Sequence, residues 1–199
     1  MSKSVEFYFD YGSPFSYLGY RRLLSVADRH DATVIYRIMS LGAVFKATGN
    51  QSPVSVMAKR PNAANDLRRF AKRFDVPFRD NPFFPINTLG LMRGALVAEE
   101  DGMLPAYNEA MFAAMWADGR NLGDPRVVGD TVAAAGIDPL AFARRVAEEP
   151  IKQRLIARNA EAVERGVFGA PTFFVDGEMF FGQDRLDFVE EALAGRSYL

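Results

Sequence analysis

Val5, Phe7 and Phe9 alternate with Glu6, Tyr8 and Asp10, a period of two with both faces largely apolar, and this predicts a buried strand over 5–9. Gly12 relaxes a turn, and Ser13-Pro14 opens a helix over about 14–29. Serine is a favoured N-cap, and proline fits the first helical position, where a missing N–H costs nothing. Residues 32–38 return to β-branched and aromatic composition, a second strand parallel to the first through a right-handed crossover. From residue 41 to about 87 the pattern changes. Gly49-Asn50-Gln51-Ser52-Pro53 reads as a loop, Leu67, Phe70, Ala71 and Phe74 recur at helical spacing over 65–74, and Pro77, Pro82 and Pro85 mark an extended connection. Helical patterning then dominates over 89–99, 104–117, 127–135, 139–147 and 151–165, punctuated at Gly102, Gly119, Gly123, Gly136 and Pro150. Two strands, 172–175 and 179–181, meet at Asp176-Gly177, a strong hairpin signal, and a helix over 184–194 closes the chain.

The order is βαβ, a helical block, then αββα. It predicts an α/β protein: a thioredoxin-like domain built from 1–45 and 150–199, divided by a large all-helical insertion over 46–149. In that topology Ser13 and Ser16 take the two places of the Cys-x-x-Cys pair, and Pro171 lies in the loop that faces it. A Pro immediately before a strand is often cis in a tight turn. The N-terminus of the first helix favours an anion beside Ser13. Ser-Pro at a helix start is common punctuation by itself; its coincidence with Pro171 makes Ser13 a candidate site.

Composition narrows the chemistry. With 199 residues, 49% of them hydrophobic and 17 of them Phe, the chain can bury a sizeable core. Its 24 basic and 25 acidic residues leave a net charge of −1, so a nucleic-acid partner is not expected. No apolar run reaches membrane-spanning length and a strand begins almost at once, so neither a membrane partner nor a signal peptide is expected, and the expected location is cytoplasmic. The lack of cysteine excludes disulfides, redox chemistry by a protein thiol and cysteine metal sites, and no dense His or Asp cluster suggests a metal. The single histidine, His30, completes the dipole at the end of the first helix. About sixteen helical residues hold it about 24 Å from Ser13, too far for a Ser-His-Asp triad.

Four segments carry a resemblance: Asp10-Tyr11-Gly12-Ser13-Pro14-Phe15-Ser16-Tyr17, Gly49-Asn50 followed by Lys59, Phe168-Gly169-Ala170-Pro171-Thr172, and Phe181-Gly182-Gln183-Asp184-Arg185. Through them the whole chain resembles the 2-hydroxychromene-2-carboxylate isomerase family, closely related to kappa-class glutathione transferases. The resemblance implies a homodimer that uses glutathione as cofactor. It implies an aromatic oxo-acid substrate, isomerised to trans-o-hydroxybenzylidenepyruvate in naphthalene-type aromatic degradation. Ser13 would be the catalytic residue, its hydroxyl hydrogen-bonding the glutathione sulfur. Ala170 would pair its backbone with the cysteinyl part. Phe181, Gly182, Gln183 and Asp184 would form the γ-glutamyl pocket, with Asp184 taking the ammonium; Gln183 stands where the family commonly carries Asn or Ser. Asn50 and Lys59 would lie on the glutathione or substrate side of the cleft, Lys59 neutralising a carboxylate. Arg60 and Asn87 are candidates for the substrate's carboxylate and hydroxyl. Arg185 reads as structural, and Met111, Met115 and Trp116 as helical core. The alternatives are a kappa-type transferase acting on other electrophiles and a non-catalytic thioredoxin-like binding module.

Overall fold

The computed structural model describes residues 3–196. Strand β1 (Ser4–Phe9) is central in a four-stranded sheet of order β2-β1-β3-β4. It runs parallel to β2 (Thr33–Ile38) and antiparallel to β3 (Thr172–Val175), which pairs antiparallel with β4 (Glu178–Phe181). The pleat sends alternate side chains to opposite faces. Val5, Phe7 and Phe9 join the main core, where Phe7 stacks on Phe9 at 5.1 Å and on Phe173 at 5.3 Å. Tyr8 and Phe174 join a smaller cluster with Met39, Val44, Ala162 and Val167 on the other face.

Between the parallel strands runs α1 (Pro14–His30), and after them come α2 (Leu41–Thr48), α3 (Arg60–Phe74), α4 (Leu89–Glu100) and α5 (Leu104–Phe112). Helix α5 continues into a π-helical turn, Ala113–Ala117. Then follow α6 (Pro125–Ala134), α7 (Pro139–Val146) and α8 (Glu149–Glu164), and α9 (Leu186–Leu193) after β4. This is the expected thioredoxin-like α/β fold with its helical insertion. Three elements differ from the reading of the pattern. Helix α2 occupies a stretch where no element was expected, α3 starts at Arg60 rather than 65, and the last turn of the helix expected over 104–117 is π. The main core runs without a break from Phe7 and Phe9 on the sheet to Met92, Met111 and Phe112 in the helical block. No described helix is long and apolar enough to cross a membrane.

Candidate active site

The turn between β1 and α1 is built by Asp10. Its carbonyl accepts the Ser13 N–H at 3.0 Å, and its buried carboxylate accepts the Gly12 N–H at 2.8 Å. Ser13 then adopts the extended conformation of an N-cap (φ −98°, ψ 111°), with Pro14 at the first helical position. The Ser13 Oγ accepts the Ser16 N–H at 3.1 Å and donates to the Ala170 carbonyl at 3.3 Å. Ala170 precedes Pro171 through a cis peptide bond. The approach is close because Gly19 lacks a side chain: a Cβ there would stand 3.2 Å from the Pro171 ring. The Pro171 carbonyl accepts the Gly182 N–H at 2.9 Å, so the helix start, the proline loop and the end of β4 form one connected wall. The Ser16 hydroxyl, in the place of the second cysteine, is buried without a hydrogen-bond partner among the described residues.

This wall borders a cleft of about 1470 Å³. Ser13, Asn50, Lys59, Arg60, Ala170, Phe181, Gly182, Gln183 and Asp184 all line it. Asn87 does not: its Oδ1 accepts the Leu89 N–H at 3.0 Å and caps the start of α4. The Asn50 amide donates to the Phe168 carbonyl at 2.8 Å, tying the loop after α2 to the proline loop. Arg60 spends its Nε on the Val54 carbonyl at 2.5 Å, whereas Lys59 is exposed and outside every ion pair among the described residues. Gly182 has φ +104°, and a Cβ on it would come within 2.5 Å of Asp184 Oδ1. The Asp184 carboxylate meets Arg185 at 2.9 Å, the local pairing expected for that arginine. Phe181 packs on Phe168 at 4.6 Å and covers Gly169, where a Cβ would stand 2.7 Å from its ring.

An aromatic wall went unread in the sequence. Phe78 stacks on Trp116 at 6.2 Å and Phe84 lies 5.5 Å from it, and all three line the cleft. Trp116 was read as helical core rather than pocket. It is buried, with its Nε1 donating to the Tyr11 carbonyl at 2.7 Å, and it also faces the cleft. The π turn sets its register, and the proline-rich connection pins that turn, since the Arg79 N–H donates to the Trp116 carbonyl at 2.7 Å and the Asn81 amide to Met115 at 2.9 Å. The signal for Phe78 and Phe84 was present only as aromatic residues among prolines, which has no periodicity to follow.

Residues 4–194 match the DSBA-like thioredoxin domain family. The chain is also 32% identical over 195 residues to a 2-hydroxychromene-2-carboxylate isomerase of Sphingobium xenophagum, covering 97% of this chain and 99% of that one. The chain belongs to the 2-hydroxychromene-2-carboxylate isomerase family. A solved structure of a 2-hydroxychromene-2-carboxylate isomerase superposes on this member of the family with a TM-score of 0.89 at 30% identity, over 96% of this chain and 95% of that one. Glutathione S-transferase kappa 1 of Caenorhabditis elegans is a more distant relative, 28% identical over 204 residues and covering 95% of this chain and 90% of its own length. Among the described residues no group of three His, Asp or Glu side chains could hold a metal ion.

Proposed function

We propose that this family member is a glutathione-dependent isomerase that converts 2-hydroxychromene-2-carboxylate to trans-o-hydroxybenzylidenepyruvate, acting as a cytoplasmic homodimer in aromatic degradation. The observation that carries the reading is convergence. Ser13, the Ala170-Pro171 loop, the Gly182–Asp184 turn and Lys59 share one cleft in a chain that aligns end to end with named isomerases.

The residues present fit the tripeptide. A γ-glutamyl group carries one carboxylate and one ammonium. The 3-10 turn Gln183–Arg185 presents first-turn N–H groups suited to the former, and the Asp184 carboxylate suits the latter. The missing Cβ of Gly182 keeps that corner open, because any side chain there would meet Asp184. The Ala170 backbone sits beside Ser13, where a cysteinyl residue could pair with it.

Bound glutathione would supply a thiolate that adds reversibly to the conjugated double bond of the ring-opened oxo acid, lets it rotate, and leaves unconsumed. Ser13 favours that ionised form. A thiol of pKa about 8.5 is only about 3% ionised at pH 7, and a fall of about two units, worth about 2.7 kcal/mol, makes it about three-quarters ionised. One charge-assisted hydrogen bond and the α1 N-terminus supply an energy of this size. The Ser16 N–H already occupies one lone pair of the Ser13 hydroxyl, which leaves its hydrogen aimed at Ala170 across a long 3.3 Å bond that is cheap to exchange. Lys59, outside every ion pair among the described residues, offers a cation for the oxo-acid carboxylate, and Phe78, Phe84 and Trp116 offer flat apolar surface for its ring. The kinship to kappa transferases supports a second reading, conjugation of other electrophiles at the same thiolate site.

Purified protein with glutathione should convert the chromene acid, turnover should nearly vanish without glutathione, and free thiol should be recovered in full. Stoichiometric loss of thiol would select the transferase. Absence of both calorimetric heat and thermal shift at millimolar glutathione would overturn the glutathione reading.

A further inference from the structure

Asp10 is 2% exposed, and no cation among the described residues pairs with it. Stripping a carboxylate of water costs several kcal/mol unless its lone pairs are filled, so a buried acid at the end of a strand is expensive where a hydrophobe would pack as well. Here the lone pairs are filled by three donors: Oδ1 accepts from the Gly12 N–H at 2.8 Å and the Thr88 hydroxyl at 2.7 Å, and Oδ2 from the Leu41 N–H at 2.8 Å. Burial holds the carboxyl above its ordinary range, against the opposite pull of these hydrogen bonds.

The donors belong to three helix starts. Gly12 leads into α1, Leu41 is the first residue of α2, and Thr88 immediately precedes α4. Each start carries a part of the cleft. Ser13 caps α1, and Gly49 closes α2, from which the segment departs that carries Asn50 and reaches Lys59 immediately before α3. Thr88 closes the connection that bears Phe78 and Phe84. Packing at the junction is tight, since a Cβ on Gly12 would lie 3.1 Å from Thr88 Cγ2 and 3.3 Å from Asp10 Oδ1.

We propose that Asp10 is the positioning residue of the site: through Gly12, Leu41 and Thr88 it sets the Ser13 hydroxyl against the segment from Asn50 to Lys59 and the Phe78 and Phe84 wall. The role rests on the reading that Ser13 serves a bound thiol. Asp10 touches no substrate and acts through the backbone it holds.

The test is Asp10→Asn, which keeps the shape but turns one acceptor into an NH₂ group. The pKa of bound glutathione, read from thiolate ultraviolet absorbance, should rise by about one unit, a tenfold change in the ionisation constant. In a Ser13→Ala background that rise should vanish, because it runs through Ser13. An unchanged thiol pKa alongside a lower melting temperature would overturn the proposal, and so would a fall in pKa, the sign expected from loss of a negative charge alone. Should Asp10→Asn fail to fold, Thr88→Val removes one donor, leaves the carboxylate, and should move the thiol pKa in the same direction by less. A second measurement needs no glutathione. In the free protein, hydrogen exchange over 10–14 and 40–43 should speed up together in Thr88→Val or Asp10→Asn while β3 stays protected; unchanged exchange at both segments would overturn the proposal. If the unaltered protein shows no thiolate band with glutathione, the functional reading fails and the exchange measurement decides the role of Asp10 by itself.

Discussion

At the scale of the residue, one hydroxyl bears most of the chemical argument. The Ser13 Oγ caps α1 through the Ser16 N–H and donates its hydrogen to the Ala170 carbonyl across a long 3.3 Å bond at the cleft wall. Removing it in Ser13→Ala should leave glutathione binding within a few-fold, since in the proposed site the Ala170 backbone and the Gly182–Asp184 turn would hold the tripeptide. Loss of one charge-assisted hydrogen bond costs about 1.5–3 kcal/mol, or about one to two pKa units on the bound thiol. The ionised fraction at pH 7, and turnover with it, should therefore fall about three- to twenty-fivefold and partly recover at higher pH, as a pH–rate profile would register. A covalent nucleophile at Ser13 would instead leave the variant inactive at every pH. Ser13 was legible in the sequence because a cap acts on its own neighbours. Asp10 was legible only as part of a strand pattern, because its partners Leu41 and Thr88 are far along the chain.

At the scale of the element, the turn from β4 into the Gln183–Arg185 corner is the most constrained piece of the cleft. Gly182 combines φ +104° with ψ 147°, a region open essentially to glycine alone, and any Cβ would collide with Asp184. Gly182→Ala should destabilise the protein by about 1–3 kcal/mol and weaken glutathione binding with it. Urea titration and calorimetry read the two effects; full stability with unchanged affinity would mean that the corner tolerates a side chain and does not shape the site. Most elements could be read from their periodicity, and the Asp176-Gly177 hairpin from its turn residues. Helix α2 was missed although Leu41, Val44 and Phe45 stand at helical spacing, because the stretch is only one short helix long before Gly49 ends it. The π turn could not be read at all. Its freed carbonyls are taken by Arg79 and Asn81, and no local pattern announces that exchange.

At the scale of the molecule, a chain of ion pairs joins the sheet to the helical block. It runs from Arg165 through Glu6, Arg37, Glu161, Arg158, Glu99, Arg154 and Glu100 to Arg145 and Asp101. Glu6 is its most enclosed acid, and the Arg165 guanidinium, which also lies 4.4 Å from the centre of the Phe174 ring, holds its carboxyl below the ordinary range. A carboxyl lowered by folding stabilises the fold above its unfolded value, about 4.3, and loses that contribution as pH falls through the lower folded value. Glu6→Gln should therefore cost about 1–3 kcal/mol at pH 7, where Arg165 loses a charged partner, and the deficit should shrink below about pH 4. Denaturant titrations at pH 7 and pH 3 measure the difference; an equal deficit at both would assign the loss to packing alone. By itself the sequence determined what neighbours along the chain decide: the alternation over 5–9, the Ser13-Pro14 helix start, the order of strands and helices, and hence the fold. Those features follow from dihedral preference and short spacing, which need no knowledge of the rest of the molecule. Long-range packing sets which distant groups meet: Asp10 with Leu41 and Thr88, Asn50 with Phe168, Trp116 with Tyr11 and the cleft, and Asn87 with the start of α4 rather than the cleft. Such partners depend on strand register and helix packing across the whole chain, and a window of a few residues holds neither.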